Sequence, residues 1–413
     1  MLRRVQDYAR VDDVLKEISG RLRQRGEVEL VRTREAFGRI AAEDVVSPVD
    51  VPSLPASHMD GFAVLAADLR GASDGNAVTL TIRGRGALVG RPESAKHGEA
   101  VRVLTGGEMP PGADTVLPFE TVEEESGHIL VRSQPEPGSH VYQVGEDFQR
   151  GETVLSAGRP VRSQDLGMLI QLGLTKVRVK KRPRVSIVAT GSELTNSSRP
   201  ARGKVRNSHS QVILRLCEAQ GCDAVDGGVV PDVSGKIAAA IRRSLGASDL
   251  VIALGGTSMG RHDLTGRVIE KMRPEVIFHG IMMDRGRVTG VAVIGGKPLL
   301  MLPGPIQGAM NGFLLLGVPI IRLLSGRTEP NLEIPCTLNS EWKARRRFPN
   351  FRKVLYVRLS HGAEVTAEPV LGETESIKVL TSADGYVSVP EEVARLTRGT
   401  RLNVTLIPGF SSA

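Results

Sequence analysis

Apolar positions near the start of the chain recur at helical spacing. In RVDDVLKEISGRL, Val11, Val14, Leu15, Ile18 and Leu22 fall on one face, the pattern of a helix that packs against a partner distant in sequence. From about Ser47 to Gly145 the period shortens to β-type runs such as AVTLTIRG and HILVRS, separated by turns rich in Gly, Pro and Glu, which predicts a β-rich insert. SQDLGMLIQLGLTKVRVKKRP then reads as a helix ending near Gly173 followed by a strand. The first unit is therefore expected to be discontinuous, 1–46 with 146–180, around an insert at 47–145.

Beyond Pro183 strands and helices alternate. RVSIVAT is a buried-strand run, SHSQVILRLCEAQG an amphipathic helix closed by Gly221, DAVDGGVV a second strand, SGKIAAAIRRSLG a second helix and DLVIALGG a third strand. This alternation predicts a mainly parallel α/β domain over 181–327, with ligands beyond the carboxyl ends of its strands. KVLYVRL, AEVTAEPVL, GYVSVP and RLNVTLIP follow with no strong helix between them, so 328–413 is expected to form a β-barrel or sandwich. The predicted class is a multidomain α/β and β protein.

The 413 residues exceed one ordinary core. No uninterrupted run of 18 or more apolar residues is present and no apolar segment follows the basic start MLRRVQDYAR, so the expectation is a cytoplasmic protein with no membrane association. Cys217, Cys222 and Cys336 are too scattered for a disulfide framework or a zinc site. A net charge of +8 favours anionic partners. Aromatics make up only 3% of the chain and do not interleave with basic runs, which disfavours nucleic acid; the basic run Lys343 to Lys353 reads as a solvated hairpin.

Candidate chemistry gathers at strand ends. ATGSEL places Thr190, Gly191, Ser192 and Glu193 after one strand, and GGTSMGRHD places Gly255, Gly256, Thr257, Ser258 and Gly260 before Asp263. Small residues there let backbone amides approach an anion. Neither loop has Walker A or dinucleotide spacing. GKVRNSHS sets Asn207 and Ser208 before a helix, and LPGP brings Pro303 and Gly304 to another strand end. In the insert, SHMDGFAV carries Asp60, whose Asp-Gly pair also suits a turn, LTGGEMPPGADTVLPFE carries Thr105, Gly106, Asp114 and Glu120, and GED carries Asp147. Asp60, Glu120, Asp147, Glu193, Asp232 and Asp263 are an inventory for holding Mg²⁺ around phosphates. The turn HGIMMDRGRVTG adds Arg285 and Arg287 around a glycine.

Taken in order, these loops, together with GGVVPD and the late GETESIKVLTSADGYVSVP, resemble the molybdopterin molybdenumtransferases, the molybdenum-insertase family that includes the terminal domain of gephyrin. The resemblance spans nearly the whole chain. It implies a homodimer of four-part protomers that inserts molybdate, or tungstate, into adenylylated molybdopterin with Mg²⁺, releasing AMP, and that contacts the upstream adenylyltransferase. It also implies catalytic acids at Asp60, Asp147, Glu193, Asp232 and Asp263, with Glu193 and Asp263 on the metal, and substrate contacts from Thr105, Ser258 and Ser376.

The turn departs from the family pattern. A K-P-G-K-P sequence with a further lysine four residues earlier is usual, whereas this chain has Gly280, then Asp284, Arg285, Gly286, Arg287 and Val288. Arg285 and Arg287 would replace a point charge by a planar bidentate one. Ser192, Arg261 and Pro305 also differ, and either Arg352 or Lys353 matches a family arginine. Two other readings are a catalytically weak paralogue that binds molybdopterin or acts as a scaffold, and a molybdopterin adenylyltransferase.

Overall fold

The computed structural model describes residues 8–22, 27–84, 92–258, 263–345 and 348–407. The chain forms two compact units: one comprises residues up to Glu43, Gly158–Arg162 and everything from Arg178, and the other Asp44–Ala157 with Ser163–Val177. Helix α1, Val11–Ser19, belongs to the first and buries Val11, Val14 and Ile18, with Leu15 and Leu22 partly buried. Its distant partner is the α/β core, which includes Val185, Ile187, Phe313 and Ile320.

The second unit is built on six strands: β1 (Gly61–Val64), β2 (Val78–Arg83), β3 (Glu99–Val103), β4 (Thr115–Pro118), β5 (Val122–Glu125) and β6 (His128–Val131). Their order in the sheet is β4-β1-β3-β2-β6-β5, antiparallel except for β2 with β3. Phe62, Leu80, Leu117 and Ile129 fill its core. Gly61 opens β1 where a side chain would lie 2.1 Å from the Leu117 carbonyl oxygen, so close strand approach, rather than a turn, calls for the glycine after Asp60. Helix α2, Ser163–Gln171, appears where the helical spacing resumes, and a strand follows at Lys176–Lys180.

The α/β sheet contains β7 (Arg184–Thr190), β8 (Asp223–Val230), β9 (Leu250–Leu254), β10 (Val276–His279), β11 (Gly290–Ile294) and β12 (Lys297–Leu302). The order is β8-β7-β9-β12-β11-β10, with the first four parallel and the last two added antiparallel. β7 after Arg184 and all of β9 are buried, as expected of central strands covered on both faces. On one face α3 (His209–Ala219) packs with α1; on the other lie α4 (Ser234–Ala247) and α5 (Leu264–Lys271), through Ile237, Ile241 and Ile269. The carboxyl ends of β7, β9 and β12 therefore open on the same rim, and the Gly255 amide donates to the Leu302 carbonyl at 2.9 Å.

After β12 the chain runs helically from Ile306 to Ser325: α6 (Ile306–Gly312), a π turn (Phe313–Gly317) and α7 (Val318–Ser325). Pro319 has no N–H to extend the ladder, and the wider turn sits directly before it. This stretch is long and apolar enough to cross a membrane, but 83% of it is buried inside the fold, as in a core helix. The end of the chain closes as a barrel of β13 (Glu333–Leu338), β14 (Lys353–Ser360), β15 (Thr366–Pro369), β16 (Gly385–Val389) and β17 (Arg401–Leu406), ordered β13-β15-β14-β16-β17. Its strands were expected without a strong helix among them; one helix of five residues, α8 (Ile377–Thr381), interrupts them.

Candidate active site

Seven of the sequence-predicted positions line one cavity of about 270 Å³ at the rim of the α/β sheet: Thr190, Glu193, Asn207, Ser208, Gly255, Gly256 and Gly304. Backbone packing explains the glycines. At φ +92°, Gly255 comes so near β7 that a Cβ would stand 2.4 Å from the Thr190 carbonyl oxygen, and one on Gly256 would stand 2.5 Å from the Thr265 hydroxyl. Gly191 faces the Glu193 carboxylate in the same way, at 2.7 Å. His209 joins two of the loops through its Nδ1, 2.9 Å from the Gly304 carbonyl oxygen. Ser192 and Asp232 bind each other reciprocally, each backbone amide donating to the other's side chain at 2.9 Å. Asp232 thus braces the loop that presents Glu193.

Asp263 is placed differently. It is buried at the N-terminus of α5, where one oxygen accepts from the Gly266 amide at 3.0 Å, and the other lies 3.2 Å from His279 Nδ1. His279 Nε2 is in turn 3.0 Å from the Thr257 hydroxyl, which donates to the Val288 carbonyl at 2.9 Å. This relay ties the glycine loop, the helix start and the arginine turn together. Nothing in the spacing of Thr257, Asp263 and His279 announced it, because the three come from a loop, a cap and a strand. Among the described residues no group of three or more His, Cys, Asp or Glu side chains is placed to hold a metal ion. Both Asp263 oxygens have protein partners, whereas Glu193 presents an exposed carboxylate to the cavity. Gly260 and Arg261 lie outside the described residues.

A second cavity, of about 400 Å³, lies beyond the same loops and is lined by Thr257, Ser258, Arg285, Arg287, Pro303, Arg345 and Thr374, among others. Arg287 lies over the Phe348 ring at 4.8 Å. Burial, and after it the like charge of Arg345, lower the pKa of the Arg285 guanidinium, against the opposing pull of the Asp284 and Glu373 carboxylates; Asp284 and Glu375 also line the cavity. Arg285 also holds a left-handed backbone, φ +49°, a conformation that costs a non-glycine residue about 1–2 kcal/mol. Asn311 fixes it: its amide donates to the Asp284 and Arg285 carbonyls at 3.1 Å and accepts from the Tyr356 hydroxyl at 2.7 Å. At Gly280 the backbone has φ +104° and passes the Tyr8 ring, so a lysine there would be strained.

The terminal barrel reaches the cavity through Thr374 and Glu375, while Ser376, next in the same loop and at the N-terminus of α8, is not among the lining residues. Neither of the two cations matched by sequence is spare. Arg352 is bidentate to Asp12 at 2.8 and 2.7 Å and reaches Glu391 at 3.3 Å. Lys353 is buried and donates to the carbonyls of Pro349, Glu391 and Val393 at 2.8, 2.7 and 3.0 Å. Arg345, read only as part of a basic run, is a barrel cation that lines the cavity, with its Nη2 3.3 Å from the Gly372 carbonyl oxygen and 3.4 Å from the Glu373 carboxylate.

In the other unit Asp60 and Thr105 come together. The Thr105 amide and hydroxyl donate to one Asp60 oxygen at 2.7 and 2.8 Å, which holds the carboxyl below its usual pKa. Gly106 turns at φ +80° and donates to the Ser57 carbonyl at 2.8 Å. Asp147 is exposed, its amide bonded to the Val51 carbonyl at 2.9 Å.

Three family models match the chain in order: "MoeA N-terminal region (domain I and II)" over 9–173, "Probable molybdopterin binding domain" over 186–323 and "MoeA C-terminal region (domain IV)" over 336–407. Over 407 residues the sequence is 30% identical to a molybdopterin molybdenumtransferase of Bacillus subtilis, covering 96% of this chain and 94% of that protein. The chain belongs to the MoeA family. Another similar protein, the molybdopterin molybdenumtransferase of Haemophilus influenzae, is 28% identical over 386 residues, 92% of this chain and 93% of that one. The crystal structure of the molybdopterin biosynthesis MoeA protein from Pyrococcus horikoshii superposes with a TM-score of 0.85 at 26% identity, covering 97% of this chain and all (100%) of that one. The MoeA family thus accounts for the α/β sheet, the β-rich region before it and the closing barrel together.

Proposed function

We propose that this MoeA-family chain is a molybdopterin molybdenumtransferase: it inserts molybdate, or tungstate, into adenylylated molybdopterin and releases AMP. The observation that carries the reading is the convergence of Thr190, Glu193, Asn207, Ser208, Gly255, Gly256 and Gly304 on one cavity, from segments up to 114 positions apart (304 − 190). The small residues at the ends of β7 and β9, Gly255 and Gly256 among them, leave room beside the strand ends for a pterin phosphate. The neighbouring arginine-lined cavity suits the metal oxyanion, which Arg285, Arg287 and Arg345 can hold with planar paired donors. Thr257 and Pro303 of the second cavity are sequence neighbours of Gly256 and Gly304 of the first, and Thr374 lines the second from the barrel side.

The residues fit Mg²⁺ as a phosphate-bound ion, since Mg²⁺ commonly takes only one or two protein carboxylates and completes its shell with phosphate and water. Glu193 is the carboxylate placed for that role, and the ion would offset charge on the leaving phosphate. Asp263 acts in this reading by fixing the loop through Gly266 and His279. Asp60, Thr105 and Asp147 serve the site of a second protomer in a cytoplasmic homodimer, and the substrate arrives from the adenylyltransferase. The three free, buried cysteines suit a reducing compartment.

Two measurements test this. AMP release should require molybdate or tungstate and fall at least about a hundredfold in Glu193→Ala, the scale of a lost electrostatic contact in an active site; unchanged turnover removes Glu193 from the chemistry. Mixing Asp60→Ala with Glu193→Ala protomers should restore activity, and no restoration counts against shared sites. A scaffold reading draws on the missing lysines at Gly280 and Asp284; tight pterin binding with no AMP release would favour it.

A further inference from the structure

Gln307 is fully buried near the start of α6, and its side-chain oxygen, side-chain nitrogen and backbone N–H are all engaged. Its side-chain oxygen accepts from the Arg285 guanidinium. Its amide nitrogen donates to the Glu373 carbonyl and, at 3.2 Å, to the Ser376 carbonyl. The backbone N–H, one of the donors a helix start leaves without an internal partner, goes to the Thr374 carbonyl at 3.2 Å. One residue of the α/β domain thus holds the arginine turn with its oxygen and the barrel loop with its nitrogens. Gly308 beside it lets the turn close in, since a Cβ there would stand 3.4 Å from the Arg285 carbonyl oxygen and 2.8 Å from the Pro303 ring.

We propose that Gln307 is a positioning residue that couples Arg285 to the Glu373–Ser376 loop, so that the arginine and the barrel residue Thr374, both lining the second cavity, meet an oxyanion as one preformed unit. The inference rests on the oxyanion reading of the arginine-lined cavity and adds what sets its width. A guanidinium has five N–H donors in a fixed fork. Spending one on Gln307 fixes the plane in which the remaining donors face the cavity. An amide is the side chain that can serve both neighbours, because it accepts on one side and donates on the other. Glu at this position would keep the Arg285 bond and lose the two donors; Met would keep the volume and lose both links.

The test uses the full chain as wild type, Gln307→Met and Gln307→Glu, with amide hydrogen exchange read over 284–288 and 373–377 and molybdate affinity read by calorimetry. Gln307→Met should speed exchange in both segments and weaken molybdate roughly tenfold or more, the scale of a lost hydrogen bond to a charged group. Gln307→Glu should speed exchange at 373–377 while 284–288 stays protected, a split that general destabilisation does not produce. Exchange unchanged in either segment of Gln307→Met, or both segments loosened with molybdate affinity intact, would overturn the coupling. If Gln307→Met fails to fold, unchanged exchange at 373–377 in Gln307→Glu overturns it instead. A wild-type chain that binds no molybdate refutes the oxyanion reading, and the exchange results then decide the coupling by themselves.

Discussion

Replacing Asp263 by Asn and by Ala separates a helix cap from a reacting or metal-bound carboxylate. The carboxylate accepts from the buried Gly266 amide at 3.0 Å and lies 3.2 Å from His279 Nδ1. Removing an N-cap costs about 1 kcal/mol, and leaving a buried donor unpaired adds about 1–2 kcal/mol, so Asp263→Ala should lose about 2–3 kcal/mol in urea denaturation. Asn caps nearly as well as Asp, and Asp263→Asn should stay within about 0.5 kcal/mol of wild type on the cap. An independent perturbation is available on the other side of the bond. A Cβ on Gly266 would stand 2.3 Å from Asp263 Oδ2, so Gly266→Ala displaces the carboxylate without removing it and should cost stability comparable to Asp263→Ala. AMP release measured on the same proteins completes the comparison: Asp263→Asn should keep most of it and Asp263→Ala should not. Loss of AMP release in Asp263→Asn at wild-type stability would refute the anchoring role and return Asp263 to the chemistry. A neutral Gly266→Ala would refute the cap.

Asn311→Ala removes three hydrogen bonds and should cost about 3 kcal/mol, against about 1 kcal/mol for Tyr356→Phe, which removes one; equal losses in denaturation would mean that the Arg285 turn does not depend on Asn311. Arg345→Ala should leave stability within about 0.5 kcal/mol and weaken oxyanion binding, whereas Lys353→Ala strips three buried carbonyls of their donor and should destabilise by about 3 kcal/mol; calorimetry beside denaturation distinguishes them. Arg352 lowers the Asp12 pKa, so the pair stabilises above the unfolded carboxyl value, about 4, and loses that contribution as pH falls through the depressed folded value. Asp12→Asn should therefore flatten the acid limb of stability by less than about 1 kcal/mol, because the Asp12 side chain is 63% exposed; an unchanged acid limb removes the pair from the acid response.

Periodicity was enough to read α1, the β-rich insert, the alternation from β7 to β9 and the closing barrel, because each buries one face at its own repeat. It gave no sign of the antiparallel strands β10 and β11, which pair on a register that the parallel reading did not contain. α6 and the π turn after it are buried throughout, Gln307 and Asn311 included, so no solvent-facing side sets a period there. At the site, glycines and hydroxyls at strand ends were legible as chemistry because their position alone puts them at the rim. Gln307, Asn311 and His279 were not: each works through partners far apart in the sequence, and a buried amide or imidazole has the same letters as a surface one. The basic run near Lys353 shows the same limit. Of the two residues matched by sequence, Arg352 is paired with Asp12 and Glu391 and Lys353 is held by three carbonyls, while Arg345, earlier in the run, lines the cavity.

The most direct measurement incubates the purified chain with adenylylated molybdopterin, Mg²⁺ and either molybdate or tungstate, and follows AMP release and metal incorporation together. Insertion predicts one AMP released per metal bound in the pterin, and none without the oxyanion. Tight pterin binding with no AMP released, or AMP released with no metal incorporated, would contradict it.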